Sequence, residues 1–154
     1  CANFVSQCLR AGGYEMNEDW YMGKAKGALS HFAGLISTTG NWDYGWTQEW
    51  TVARENYDYF NSDAYAMYEI PIKRDDSIEK AISEYDIRPG DLLYFCNGGE
   101  VVTHATIISS VEDDEIKFAG HSKPRWNYKL SDAFTNNEEY TQVIIVCLSG
   151  RISS

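Results

Sequence analysis

The sequence lacks a long hydrophobic run and is poor in positive charge. Its longest apolar run, Val143 to Leu148, is far shorter than the roughly 20 residues that a membrane-spanning helix needs. Thirteen Lys and Arg stand against 23 Asp and Glu, so the net charge is −10, which repels nucleic acid and anionic lipid. We therefore expect a soluble protein with no nucleic-acid partner and no membrane insertion.

Cysteine and histidine are also scarce. The four cysteines, Cys1, Cys8, Cys96 and Cys147, are too sparse for a disulfide scaffold and form no CxxC pair. Cys8, Cys96 and Cys147 each lie in an apolar segment, where a free thiol behaves as a small hydrophobe. A Cys96–Cys147 bridge is the alternative, but nothing in the pattern indicates it. Since the histidines lack the spacing of a zinc site, we expect no metal and no cofactor.

The length and the first residue bear on domain organisation. A chain of 154 residues fits one domain, because single cores serve chains of up to about 250 residues. The sequence starts at Cys1, with no initiator Met and no signal peptide. Residue 1 is therefore either the product of a cleavage or the start of a fragment.

Helical periodicity dominates the first half of the chain. Ala2 to Ala11 places Phe4, Val5, Cys8 and Leu9 on one stripe, and Gly12-Gly13 ends the segment. This predicts a half-buried helix with Cys1 at its N-terminal end. Residues 14 to 41 predict loops with one short helix. Two further helices are predicted, one capped by Thr51 and running to Phe60, the other spanning Ser77 to Tyr85.

Beyond residue 90 the hydrophobic period changes to two. Strands are predicted at Leu92–Cys96, Val101–Ser110, Glu115–Ala119 and Gln142–Leu148, with turn signals at Asn97-Gly98-Gly99 and Asp113-Asp114. We expect the first three strands to form an antiparallel meander. The order of helices first and sheet second predicts an α+β fold.

Cys1 and His104 carry the chemistry that the pattern indicates. A thiol attacks as its thiolate, which the positive end of a helix stabilises, so Cys1 is placed to be a nucleophile. His104 lies in the middle of a predicted strand, on the same face as Thr106, where an imidazole is costly to bury without a partner. The alternatives are a helix-capping cysteine and a core histidine with a structural hydrogen bond.

A third polar group improves a cysteine–histidine pair by orienting the imidazole. His121 ends the strand after that of His104, and a hairpin can bring the two side chains together. Asn127 and Asp132 are the substitutes for this role. His31 lies in a weakly patterned segment, where we expect it at the surface or in packing.

Several blocks resemble one known family. Cys1 to Gly13 (CANFVSQCLRAGG) resembles the opening motif of the putative amidase domain family of secreted bacterial proteins, a branch of the papain-like hydrolases. Four later blocks are similar to that family in the same order: Trp50–Phe60, Gly90–Phe95, His104–Ile108 and His121–Tyr128. The resemblance implies a papain-like fold with Cys1 as nucleophile, His104 as general base and His121 as the orienting residue. It also implies a secreted or cell-surface bacterial protein.

The chain departs from this family in one respect. The family continues upstream of the cysteine through an Asp and a further helix, whereas Cys1 opens this sequence. We therefore expect residues 1–154 to be the C-terminal part of a longer precursor or a fragment without its upstream helix. The second donor of the oxyanion hole, which papain-like enzymes take from earlier sequence, is then unassigned. Gln7 lies too far along the helix to replace it.

Three functions remain open. The first is a cysteine amidase or peptidase that hydrolyses an amide bond through a thioester, in bacterial cell-wall peptide or a related substrate of a secreted effector. The second is an N-terminal nucleophile hydrolase that uses the α-amine of Cys1 as base. The third is a non-catalytic binding or toxin module whose tryptophans (Trp42, Trp46, Trp50 and Trp126) stack on sugars or peptide groups. The acidic surface also fits a basic inhibitor or immunity partner.

Overall fold

The computed structural model describes residues 1–23, 45–62, 67–121 and 124–148. The helices are α1 (Ala2–Ala11), α2 (Gln48–Thr51), α3 (Ala53–Ser62), α4 (Ile78–Glu84) and α5 (Leu130–Asn136). The strands are β1 (Met22–Gly23), β2 (Gly45–Trp46), β3 (Met67–Lys73), β4 (Leu92–Asn97), β5 (Val102–Val111), β6 (Ile116–His121), β7 (Pro124–Lys129) and β8 (Tyr140–Leu148). His31, Trp42 and most of the segment predicted as loops lie outside the described residues.

Six strands form one antiparallel sheet in the order β3-β8-β4-β5-β6-β7. The predicted meander of β4, β5 and β6 is confirmed, and β7 extends it. The strand latest in sequence, β8, lies between β3 and β4. Its residues from Gln142 to Leu148 are all buried, as expected of an apolar run covered on both faces of a sheet.

The sheet separates two hydrophobic cores. Because side chains alternate along a strand, Leu92 and Tyr94 of β4 pack with α1 and α3, whereas Leu93 and Phe95 pack with α4 and α5. Val5 and Leu9 are among the residues by which α1 enters the first core. The molecule is thus an α+β fold with helices packed on an antiparallel sheet, as predicted.

The predicted order of helices first and sheet second was wrong. Strand β3 precedes α4, and α5 separates β7 from β8. The two strands of the six-stranded sheet that were not predicted, β3 and β7, lie at its edges. Both contain proline, which a central strand excludes because proline donates no ladder hydrogen bond. Helix α5 has seven residues, too few for a clear apolar period.

Two predicted helices differ in detail. The helix assigned to residues 51–60 is interrupted at Val52, whose φ of −105° and ψ of 127° are extended, so Thr51 ends α2 and caps nothing. In α1 the buried residues are Ala2, Val5, Ser6 and Leu9. The predicted stripe was therefore wrong about Phe4 and Cys8, which are only half-buried.

Helix α4 agrees with its prediction. It begins after Ser77, whose side chain accepts a hydrogen bond from the Lys80 amide.

The cysteines also agree with the prediction of free thiols. All four cysteines are free, and Cys96 and Cys147 are buried. Burial raises the pKa of Cys96 to about 11, which suits a thiol that serves packing.

Within the described ranges, every helix is too short or too polar to cross a membrane.

Candidate active site

Cys1 occupies the N-cap position of α1, the position at which a helix presents unpaired amides and positive potential. Its carbonyl accepts the hydrogen bond of the Val5 amide at 3.2 Å. Its side chain makes no capping hydrogen bond to the described first turn, and the residue is half-buried against the core beside α1. The thiol is thus held at the front of the helix without being used as a cap.

A buried polar network fixes α1 in place. Asn3 Oδ1 accepts a hydrogen bond from Trp50 Nε1 at 2.8 Å. Ser6 Oγ donates to the Trp50 carbonyl at 2.9 Å and accepts from Trp20 Nε1 at 3.0 Å. These bonds join the opening motif to segments 14 and 44 residues away in sequence. Asn3 and Ser6, two polar residues of that motif, therefore have a structural role.

Asn56 extends this network to the sheet. Its amide nitrogen donates to Ser6 Oγ at 3.2 Å and to the Glu49 carbonyl at 2.8 Å. Its amide oxygen accepts from the Tyr94 hydroxyl at 2.7 Å. Ser6 and Asn56 are fully buried, so each of these bonds offsets the cost of removing a polar group from water. Sequence reasoning missed this network, because its members are adjacent only after folding.

His104 lies on β5 and is half-buried. It pairs with Phe95 of β4, and the two ring centroids are 6.0 Å apart. Burial, followed by the positive charge of the α-amino group of Cys1, lowers the pKa of His104 to about 4. Two conclusions follow. The imidazole is neutral at pH 7, and the α-amino group at the start of α1 is close enough to influence it electrostatically.

Gly120 leaves the space in which His104 sits. A Cβ atom at Gly120 would lie 3.4 Å from His104 Nε2 and 2.9 Å from Thr106 Cγ2. His104 and Thr106 therefore flank the same glycine, which confirms that they share a face of β5. Thr106 is itself fixed, because its hydroxyl donates to the Leu93 carbonyl at 2.8 Å.

His121 ends β6 and is exposed. Its imidazole stacks on Phe4 of α1, with ring centroids 5.9 Å apart and an interplanar angle of 16°. The two alternatives for its role are both exposed: Asn127 lies in β7 with a left-handed φ of 51°, and Asp132 lies in the first turn of α5. Through this stack, His121 lies against the helix whose N-cap is Cys1.

The tryptophans divide into buried and exposed residues. Trp50 is 3% exposed and stacks near Trp20, with ring centroids 4.7 Å apart, so it belongs to the core. The suggestion that Trp50 stacks on a ligand was wrong. Trp46 and Trp126 are 52% and 81% exposed and are free to contact solvent or a ligand.

A separate cavity of about 670 Å³ lies on the side of α4 and α5, and it is lined mainly by charged and polar side chains, among them Arg74, Glu115 and Lys117. Its lining holds neither a cysteine nor a histidine. Among the described residues, no three His, Cys, Asp or Glu side chains are grouped as a metal site.

Comparison with known proteins bears on this arrangement. The chain matches the family described as "Putative amidase domain" over residues 1–146. The chain belongs to this family. Membership confirms the family resemblance seen in the opening motif and in the two histidine blocks.

The chain is also similar to a curated protein. The chain is 26% identical over 152 residues to the uncharacterized protein YhbB of Bacillus subtilis (strain 168). The alignment covers 95% of this chain and 42% of that protein, so the chain spans less than half of its relative's length. No solved structure matches the chain. The family match supports the function of an amidase-like hydrolase.

Proposed function

We propose that this chain is a cysteine amidase or peptidase of papain-like arrangement, with Cys1 as nucleophile, His104 as general base and His121 as the residue that orients the imidazole. The observation that carries the proposal is the position of Cys1 at the N-cap of α1, where its thiol is not used as a cap and its α-amino group is close enough to help lower the pKa of His104. Membership of an amidase domain family supports the choice of an amide bond as substrate.

The proposed reaction follows the chemistry of a thiol and an imidazole. His104 accepts the thiol proton, and the Cys1 sulfur attacks the amide carbon to form a tetrahedral oxyanion. Collapse of this intermediate breaks the C–N bond, and His104 returns the proton to the departing amine. The resulting thioester is attacked by water, which His104 deprotonates, and its hydrolysis releases the acid and restores the thiol.

The substrate and setting are further parts of the proposal. We infer a peptide or peptidoglycan-like substrate of bacterial cell wall, or a related substrate of a secreted effector, acted on by a secreted or cell-surface protein. This rests on the resemblance of the opening motif to secreted members of the family. The net charge of −10 would favour a basic inhibitor or immunity protein as a partner.

Thiol alkylation tests the nucleophile and its base. Iodoacetamide at neutral pH should label Cys1 first, because Cys96 and Cys147 are buried and burial raises the pKa of Cys8. Peptide mapping by mass spectrometry locates the label. His104→Gln should slow the reaction at Cys1 by about 100-fold, the size of a general-base effect.

Hydrolysis is tested on peptides released from bacterial cell wall, with products identified by mass. Cys1→Ala should abolish cleavage, and His104→Gln should nearly do so. Full activity in Cys1→Ala would refute the proposal. Equal labelling of Cys1 and Cys8, unaffected by His104→Gln, would remove the role of His104.

A second candidate is an N-terminal nucleophile hydrolase, in which the α-amino group of Cys1 is the base. A glycine added before Cys1 should then abolish activity, while His104→Gln should leave it intact. The opposite pair of results supports the Cys1–His104 mechanism.

A third candidate is a binding or toxin module without catalysis, favoured by the exposed indoles of Trp46 and Trp126. Such a module would retain cell-wall peptides on the Cys1→Ala variant and lose them in Trp46→Ala or Trp126→Ala. Cleavage by the unaltered chain decides against it.

A further inference from the structure

The stacked pair of Phe4 and His121 has no place in either hydrophobic core. Phe4 is half-buried, although it lies one residue from the fully buried Val5. Its ring lies nearly parallel to the imidazole of His121, at 5.9 Å and 16°. An aromatic side chain on the first turn of α1 is therefore directed to a histidine at the end of β6.

The imidazole of His121 needs such a contact to hold one orientation. It lies on the last residue of β6 and is exposed, so the surrounding core does not confine it. A side chain of this kind otherwise distributes among about three χ1 wells. A flat ring on one side of the imidazole restricts that freedom, and α1 is held firmly enough to provide it, because Asn3 and Ser6 anchor the same turn.

We propose that Phe4 is a positioning residue: by stacking on His121, its ring holds that imidazole beside the first turn of α1, at whose front the Cys1 thiol lies. This inference rests on the proposed function. Phe4 touches neither substrate nor the reacting atoms in this scheme. It raises the fraction of molecules whose His121 is correctly placed.

The experiment compares Phe4→Leu, Phe4→Tyr and the matched control Tyr68→Leu, which removes an exposed aromatic ring from β3 at the opposite edge of the sheet. The first readout is the rate of Cys1 alkylation by iodoacetamide. The second is the position of the His121 ring proton resonances in NMR spectra, which a stacked aromatic ring shifts upfield. A thermal melt by circular dichroism confirms that each variant is folded.

Phe4→Leu should slow alkylation of Cys1 by about three- to sixfold, since a competent orientation populated in one of three or more wells lowers the effective rate by that fraction. It should also move the His121 resonances downfield. Phe4→Tyr retains the stack and should keep both properties, as should Tyr68→Leu. A wild-type alkylation rate in Phe4→Leu, or an equal loss in Phe4→Leu and Phe4→Tyr, would overturn the inference.

The NMR readout separates this inference from the proposed function. If iodoacetamide does not prefer Cys1 in the unaltered chain, the proposed function fails, whatever Phe4 does. If Cys1 is preferred but the His121 resonances are the same in Phe4→Leu, Phe4 does not hold the imidazole and the positioning role alone fails. If Phe4→Leu does not fold, Phe4→Tyr decides the question. His121 resonances that are not shifted upfield in Phe4→Tyr would also refute the positioning role.

Discussion

Acidification should weaken the fold through His104 before most carboxylates titrate. The pKa of His104 is lowered from 6.5 to about 4, so the unfolded chain takes up this proton at a higher pH than the folded one. The sign follows directly. The stabilising contribution is complete above pH 6.5 and is lost as the pH falls towards the folded pKa near 4.

The size of this effect follows from the same two pKa values. Proton linkage between pH 7.5 and pH 5 allows a loss of up to about 2 kcal/mol in the free energy of unfolding. The imidazole is not completely buried, and solvent screening reduces the expected loss to about 1–2 kcal/mol. That is a large part of the stability of an ordinary domain, which is about 5–15 kcal/mol.

Urea unfolding followed by tryptophan fluorescence measures this loss. The unaltered chain and His104→Gln are compared at pH 7.5 and pH 5, and the difference between their pH-dependent losses isolates His104. Equal losses in the unaltered chain and His104→Gln, or a His104 resonance that titrates near pH 6.5, would refute the reasoning.

A glycine added before Cys1 tests the two causes of this shift separately. It moves the positive α-amino group away from the imidazole, so the pKa of His104 should rise. Burial, the larger cause, should still hold it below 6.5. Titration of the His104 ring protons by NMR gives both values.

Three further predictions concern neighbouring residues. Gly120→Ala should slow Cys1 alkylation about tenfold, because the new methyl group displaces Thr106, the neighbour of the His104 imidazole on this face; an unchanged rate contradicts that geometry. Ser6→Ala should lower the free energy of unfolding by about 2–4 kcal/mol in urea titrations, since the Trp20 and Asn56 donors lose a buried acceptor, and a loss below about 1 kcal/mol would show that the network is replaceable. Trp126→Ala should change stability by less than about 0.5 kcal/mol in the same titrations, because its indole is exposed, and a larger loss would show packing not described above.

The comparison of sequence and structure shows which signals are local. Helix α1 and strands β4, β5, β6 and β8 were predictable, because the spacing of apolar residues along each segment matches the period of its helix or strand. The edge strands β3 and β7 were not, since each contains a proline and most side chains of β3 are exposed. Val52 interrupts a helix that its neighbours favour; its backbone is extended, and valine is one of the weaker helix formers.

The candidate site divides in the same way. Cys1, His104 and His121 could be proposed from residue type, motif and position on predicted elements. The role of Phe4 could not, because a period of 3.6 places it near the buried stripe and only the end of β6 reveals its partner. The role of Ser6 was likewise hidden. In the sequence it is a weak helix former, and only the fold brings Trp20, Trp50 and Asn56 to its hydroxyl.

The central position of β8 has a consequence for biosynthesis. During translation, β3 and β4 emerge long before the strand that joins them, so each exposes an open edge to the crowded ribosome exit and its chaperones. The sheet beneath α1 becomes complete only when residues 140–148 have been added. Until then the core that holds α1 lacks Ile144, Val146 and Leu148, so we expect the helix behind Cys1 to be anchored only after β8 has been synthesised.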